Sequence, residues 1–286
     1  GAKQSLKDGF LGLGMSASAI HSDEFAWIET TKKNALGRKA AIYDLLLLSQ
    51  PEGGTLLASI DNKQPVLLPT FSPQPDIYHA RIETEEGPHR LSLQPAGDGE
   101  IRFFGISAET PGPGMLVDAI GIRGKEARSW LQWNERIFKG AIQALNPDIV
   151  VLAYGTNEAN ALDYTAEKYT KDLRKTLRKM RRSLPDAACI LVGPSDRGKS
   201  VRYSKETYKV WKRTALIAEV QRNVSVEFGC VFWDWQQATG GEGSMIAWRY
   251  TTPPLAAKDL IHHSAAGYIH VAEKFIDALD DAAENY

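Results

Sequence analysis

Pro147-Asp148-Ile149-Val150-Val151-Leu152-Ala153-Tyr154-Gly155-Thr156-Asn157-Glu158 is the stretch whose reading decides the fold. Its first half is a short apolar run with β-branched residues, bounded by Pro147 and Gly155. Such a run reads as a strand buried on both faces, as in a parallel sheet covered by helices. The second half turns at Gly155 and presents Thr156, Asn157 and Glu158. In open α/β sheets the ligand crevice lies just beyond the carboxyl ends of the strands. Asn157 therefore stands where an amide could face a reacting oxygen, or where it could cap a helix or hold a turn.

Outward from that stretch, strands and helices alternate, the signature of a parallel sheet. Residues 115–120 read as the first strand, 149–154 as the second, 190–192 as the third and 231–235 as the fourth. A helix over about 125–145 would carry Leu131, Phe138, Ile142 and Leu145 on one face. A second, over about 165–183, would bury Tyr169, Leu173, Leu177 and Met180, and a third spans about 205–228. The last begins near Ser264, a natural N-cap, with Ile269, Ala272, Ile276 and Leu279 as its apolar stripe. Upstream of Pro111-Gly112-Pro113-Gly114 the pattern differs: short apolar segments recur between turn clusters such as Pro51-Glu52-Gly53-Gly54 and Ala96-Gly97-Asp98-Gly99. Strands at that spacing suggest an all-β sandwich. The expected division is a β-sandwich over residues 1–112 and an α/β domain over 113–286.

Composition narrows the function. The chain has 286 residues, 43% of them hydrophobic, enough for two cores. Acidic and basic residues nearly cancel (35 against 34), so no global field points to nucleic acid. The cationic run Lys171, Arg174, Lys175, Arg178, Lys179, Arg181 and Arg182 reads as the solvated face of a helix. No apolar run is long enough to span a membrane, and Gly1-Ala2-Lys3-Gln4-Ser5 is not a signal peptide. Cys189 and Cys230 lack metal-ligand spacing and read as small core residues, neither a disulfide framework nor a zinc site. No metal or cofactor is expected.

The chemistry gathers around Lys258-Asp259-Leu260-Ile261-His262-His263-Ser264. Hydrolysis of an ester by a serine enzyme needs a nucleophile, a base, a group that orients the base, and donors for the oxyanion. Asp259, three residues before His262, can accept from the imidazole Nδ1–H and leave Nε2 facing a hydroxyl. The same four residues could equally be a capping Asp and an ordinary loop histidine. His263, one residue out of register, reads as a wall residue. Gly124, after the first expected strand, could offer its N–H to a substrate oxygen or simply turn the chain. Ser195, in Gly193-Pro194-Ser195-Asp196 at a strand end, and Glu158 are candidate substrate-binding residues. Among the tryptophans, Trp130, Trp133, Trp233, Trp235 and Trp248 could stack on sugar rings, with core or rim packing the commoner role.

Gly-Thr-Asn-Glu after a strand, followed by Asp-x-x-His before the last helix, resembles the SGNH (GDSL-like) hydrolases. By that resemblance Gly124 and Asn157 match the oxyanion Gly and Asn blocks, and Asp259 and His262 match the fourth block. Phe232-Trp233-Asp234-Trp235, Gly240-Gly241-Glu242-Gly243-Ser244-Met245 and Ala256-Ala257-Lys258-Asp259 look like the bacterial peptidoglycan O-acetylesterase branch, which inserts a sandwich similar to carbohydrate-binding modules. The resemblance implies a flavodoxin-like parallel sheet flanked by helices, metal-free removal of O-acetyl groups from a cell-wall glycan or other polysaccharide, an acetylated glycan or small ester as substrate, and an exported location. One block departs from the family: no Gly-Asp-Ser occurs, and Ser16 and Ser18 in Gly14-Met15-Ser16-Ala17-Ser18 only mimic it. The expectation is a natural protein longer at its N-terminus, carrying the serine there. The competing reading is a non-catalytic glycan-binding protein on the same scaffold.

Overall fold

A computed structural model describes residues 8–14, 18–20 (backbone only), 25–33, 36–201 and 208–285, so Ser16 lies outside the described residues. Contacts divide the chain into two compact units, Gly1–Arg123 with Leu131–Asn146, and Gly124–Trp130 with Pro147–Tyr286.

The first unit holds β1 (Ser18–Ile20), β2 (Ala26–Glu29), β3 (Ala40–Ser49), β4 (Thr55–Ile60), β5 (Val66–Pro69), β6 (Asp76–Gly87), β7 (Arg90–Pro95) and β8 (Ile101–Glu109). They form two four-stranded sheets, β1-β8-β3-β6 and β2-β7-β4-β5, in which every pairing is antiparallel. The period-2 pattern of β4 and β7 turns Leu56, Ala58, Leu91 and Leu93 inward, where they share one core with Tyr43, Leu45 and Leu47 of β3. Burying each such leucine contributes roughly 1.5–3 kcal/mol. Asp61 and Asn62 leave β4 at φ 51° and 58°, the left-handed pair that Asp and Asn tolerate better than other side chains.

The helix expected over 125–145 is broken. Residues Ala127–Gln132 form a 3-10 turn, and α1 (Glu135–Leu145) starts afresh because the Asn134 side chain accepts the N–H groups of Arg136 and Ile137. Phe138 and Ile142 are buried as expected, whereas Leu131 and Leu145 are exposed. The helix packs on β6, where Arg136 reaches Asp76 at 2.6 Å. The strand expected at 115–120 is absent: that segment pairs with no described strand, and Met115, Leu116, Val117 and Ile120 are exposed. An apolar run becomes a strand only where a neighbour completes its backbone hydrogen bonds.

In the second unit β9 (Ile149–Ala153), β10 (Ala188–Val192) and β13 (Val231–Trp233) form a parallel sheet in the order β13-β10-β9. Between them come α2 (Thr156–Asn160), α3 (Ala166–Ser183), the antiparallel hairpin β11 (Gly198–Ser200) and β12 (Tyr208–Val210), and α4 (Arg213–Glu227). After β13 follow α5 (Trp235–Ala238), α6 (Ser244–Trp248) and α7 (Ala265–Glu284). Thr165 caps α3, whose Tyr169, Leu173, Leu177 and Met180 are buried as their spacing predicts.

Three expectations are corrected in this unit. β9 is an edge of its sheet among the described residues, so Ile149 and Val151 are exposed and only Leu152 is buried. Ser264 caps α7 as expected, but the helix is rotated: Ile269, Ile276 and Leu279 face outward while Gly267 and Val271 are buried. Gly267 decides that rotation, since a Cβ there would collide with the Leu255 carbonyl, and Phe275 meets Trp233 edge-on at 5.0 Å. Finally, Cys189 and Cys230 are joined by a disulfide. Ile190 pairs with Val231 in the parallel ladder, so the preceding cysteines are neighbours, with Cα atoms 4.6 Å apart. No sequence spacing signals that pairing.

Candidate active site

At the carboxyl end of β9 the chain turns through Gly155 at φ 119°, where a Cβ would come within 2.8 Å of Pro194 Cδ, so there is no room for a side chain. The turn starts α2 and sets Asn157 on the exposed side and Glu158 inside. Asn157 Nδ2 donates to the Lys125 carbonyl at 2.8 Å, which holds the Gly124-Lys125 turn against the amide. Gly124, at φ 74°, has nothing within 4 Å of where a Cβ would lie. The two residues expected to serve an oxyanion are thus brought together, with the second Nδ2 hydrogen of Asn157 left over.

Glu158, expected as a substrate-binding residue, is turned inward. It is fully buried, and its two carboxylate oxygens accept the N–H groups of Ala127 (2.8 Å) and Gly155 (2.9 Å). Burial raises its pKa, partly offset by those bonds. Its work is to tie the start of α2 to the segment after Gly124. Ser195 is buried in the loop leaving β10. Beside it Asp196, wholly buried, accepts from Gly243 N (3.0 Å), Met245 N (3.1 Å) and Gln236 Nε2 (3.2 Å). That carboxylate fixes the Gly-Ser-Met segment, a role the sequence does not announce.

Asp259 and His262 meet as their spacing predicts. The Nδ1–Oδ2 distance is 2.7 Å, and Asp259 Oδ1 also accepts the N–H groups of Ile261 and His262, both at 3.0 Å. Leu260, between them, is buried at φ 58° and makes the tight curl. Partial burial would raise the Asp259 pKa; the His262 hydrogen bond and the two backbone bonds outweigh it and bring it down to about 2. An ionised carboxylate only accepts, so Nδ1 carries the proton, and Nε2 is the ring nitrogen left without a partner among the described residues. The His262 side chain is 66% exposed.

Flanking bonds hold this loop. Ala257 N donates to His262 O (2.8 Å), Ser264 N to Leu255 O (2.9 Å) and Gly198 N to Leu260 O (3.0 Å). His263 points away from His262 into a cage of Trp235 (stacked, 5.2 Å), Trp248 (edge-on, 5.7 Å) and Tyr268 (5.3 Å). Burial, helped by the neighbouring charge of His262, lowers the His263 pKa to about 4. Of the tryptophans weighed as sugar platforms, Trp130 and Trp133 are buried. Trp130 Nε1 donates to Tyr154 OH at 2.9 Å, and Trp133 Nε1 to the Gly12 carbonyl at 2.9 Å. Trp233, Trp235 and Trp248 pack on one another or on the ring of Phe275 or His263. Among the described residues no three His, Cys, Asp or Glu side chains cluster as metal ligands.

Comparison with solved structures finds a peptidoglycan O-acetylesterase with a TM-score of 0.75 at 24% identity, covering 100% of this chain and 77% of that one. A protein described as a GDSL-like lipase from Parabacteroides merdae is similar over 54% of this chain and 68% of its own (TM-score 0.42, 21% identity). An acetylxylan esterase from Geobacillus stearothermophilus is similar over 54% of this chain and 67% of its own (TM-score 0.39, 20% identity). A search of curated proteins finds no match. The family description that fits residues 105–269, more than half of the chain, spans both Gly124 and His262. The chain belongs to the GDSL-like lipase/acylhydrolase family.

Proposed function

We propose that the protein is a serine ester hydrolase that removes O-acetyl groups from a cell-wall glycan. The observation that carries this reading is the His262 Nδ1–Asp259 Oδ2 contact of 2.7 Å on an exposed loop, with Nε2 unengaged. His262 takes the proton of a serine hydroxyl as that oxygen attacks the acetyl carbonyl and passes it to the leaving sugar oxygen; it then takes a proton from the attacking water and returns it to the serine oxygen as acetate leaves. Asp259 fixes the tautomer and stabilises the imidazolium. Gly124 N–H and the second Nδ2 hydrogen of Asn157 receive the oxyanion.

The attacking serine is assigned to none of the described residues. A strand carrying it would find its place along the edge of β9 that no described strand pairs, where Ile149 and Val151 are exposed. The Cys189–Cys230 disulfide supports export, because such bonds persist in oxidising compartments. No helix among the described residues is long and apolar enough to cross a membrane. The antiparallel unit would act as a glycan-binding module in this scheme.

The test is hydrolysis of nitrophenyl acetate by the natural protein, followed by labelling with a fluorophosphonate and mapping of the labelled serine. Turnover lost in His262→Ala, with one serine labelled, supports the reading. Turnover indifferent to His262 sinks it. Absence of both turnover and label favours the glycan-binding alternative, which the unassigned nucleophile also motivates.

A further inference from the structure

Arg197 leaves β10 in the loop between Asp196 and the hairpin, and it is half-buried. Its Nη1 donates to Asn160 Oδ1 at 3.2 Å, at the end of the helix that begins beside Asn157. Its guanidinium carbon lies 5.4 Å from the centre of the Trp211 ring, and Lys199 Nζ approaches the same ring at 4.9 Å. Trp211 is fixed from behind, its N–H donating to Arg197 O at 2.7 Å and its Nε1 to Ala159 O at 2.8 Å. Two cations on one aromatic ring repel each other, and no carboxylate forms an ion pair with either among the described residues. Arg197 Nε is buried and has no hydrogen-bond partner among the described residues. Burial lowers the guanidinium's pKa, with the Asp259 charge acting the other way. That carboxylate is already engaged by His262 and two backbone N–H groups.

A desolvated cation with an unmet donor is costly to keep unless something anionic arrives to meet it. Arg197 lies where such a group would come from the substrate: bonded to α2 on the Asn157 side and within electrostatic range of Asp259 on the other. We propose that Arg197, laid on Trp211 and aided by Lys199, binds a carboxylate carried by the sugar next to the ester, so that the preferred substrate is an acidic glycan. The planar fork of the guanidinium suits a carboxylate held by two parallel hydrogen bonds. This assignment rests on the esterase reading for the identity of the ester, but not for the carboxylate.

The test compares an O-acetylated oligosaccharide bearing sugar carboxylates with the same oligosaccharide after reduction of those carboxyls to alcohols. Binding to the full protein with His262→Ala is measured by calorimetry, and hydrolysis by the unmodified protein in parallel. The carboxylate form should bind about tenfold to a hundredfold more tightly, as expected for a hydrogen bond between charged groups. Arg197→Gln should erase that preference while leaving turnover of neutral nitrophenyl acetate within about threefold. Arg197→Lys, which keeps the charge but not the fork, should retain only part of it and covers the case in which Arg197→Gln fails to fold. Equal binding of the two oligosaccharides, or a preference that survives in both variants, overturns the proposal. A carboxylate preference without any hydrolysis leaves Arg197 as assigned and removes the esterase reading instead.

Discussion

Two Asp–His pairs in this molecule share one geometry and differ in everything around it. In the antiparallel unit His89 Nδ1 lies 2.7 Å from Asp61 Oδ2; in the parallel-sheet unit His262 Nδ1 lies 2.7 Å from Asp259 Oδ2. Each aspartate is further held by backbone N–H groups, from Arg90 in one case and from Ile261 and His262 in the other. The difference is at the far nitrogen. His89 Nε2 is bound to the Glu85 carbonyl at 2.7 Å, so both ring nitrogens face acceptors and the imidazole is a clip between a turn and a hairpin. His262 Nε2 faces no such group among the described residues. A carboxylate–imidazole contact therefore does not make a base; the unspent second nitrogen does.

The sharpest way to break the comparison is to delete each imidazole. His262→Ala should lower the acetate-hydrolysis rate by about 10²–10⁴, the usual contribution of a positioned base, while His89→Ala should leave it unchanged. Comparable losses from the two would dissolve the distinction. Next in size, Asn157→Ala should cost about 10²–10³ in kcat with little change in KM, as for loss of one oxyanion donor. A rise in KM alone would move Asn157 from oxyanion to substrate binding.

Smaller effects concern stability. His263, with a pKa lowered from 6.5 to about 4, binds its proton more readily in the unfolded chain. Stability should therefore be intact above about pH 6.5 and fall by on the order of 2 kcal/mol towards pH 4, after allowance for solvent screening. In His263→Phe, denaturant unfolding followed across that range should be flatter. His89 has the opposite sign. The Asp61 hydrogen bond, then the Glu85 carbonyl, raises its pKa, so its contribution is complete below 6.5 and is lost as pH rises through the folded value. His89→Gln should remove that alkaline loss, read as a small change in Tm between pH 6 and pH 9. Asp259, at about 2, gives up its stabilising contribution only as pH falls from 3.8 through that value. Any loss of activity on mild acidification must come from another group.

What the sequence disclosed follows from locality. Asp259 and His262 are three residues apart, and Gly155-Thr156-Asn157-Glu158 is one turn, so short-range chemistry announced both pieces. Helix α3 was equally legible, because its spacing and its Thr165 cap agree. What stayed hidden depends on who the neighbour is. The run at 115–120 is apolar enough for a strand but has no partner among the described residues. The α7 stripe at Ile269, Ile276 and Leu279 has a helical period, yet Gly267 and Val271 won the inward face. Glu158 reads as a polar residue beside a site, and only its two backbone partners reveal it as a brace. Arg197 is one residue past the Ser195-Asp196 turn that drew notice, but the ring that shapes its role lies fourteen positions on, at Trp211.

The sulfur bridge between Cys189 and Cys230 also closes a covalent ring. The two cysteines are 41 residues apart, and the enclosed segment contains Asp196, Arg197, Trp211 and all of α4. Tying the ends of such a segment removes, in the chain-entropy account, about 4 kcal/mol worth of freedom from the unfolded state. That tether acts on the unfolded chain, whereas Arg197 and Trp211 are held by hydrogen bonds of the folded one. The ring keeps β10 covalently joined to the residue that leads into β13, and a thiol reductant is expected to lower the unfolding midpoint without rearranging the Asp259–His262 loop.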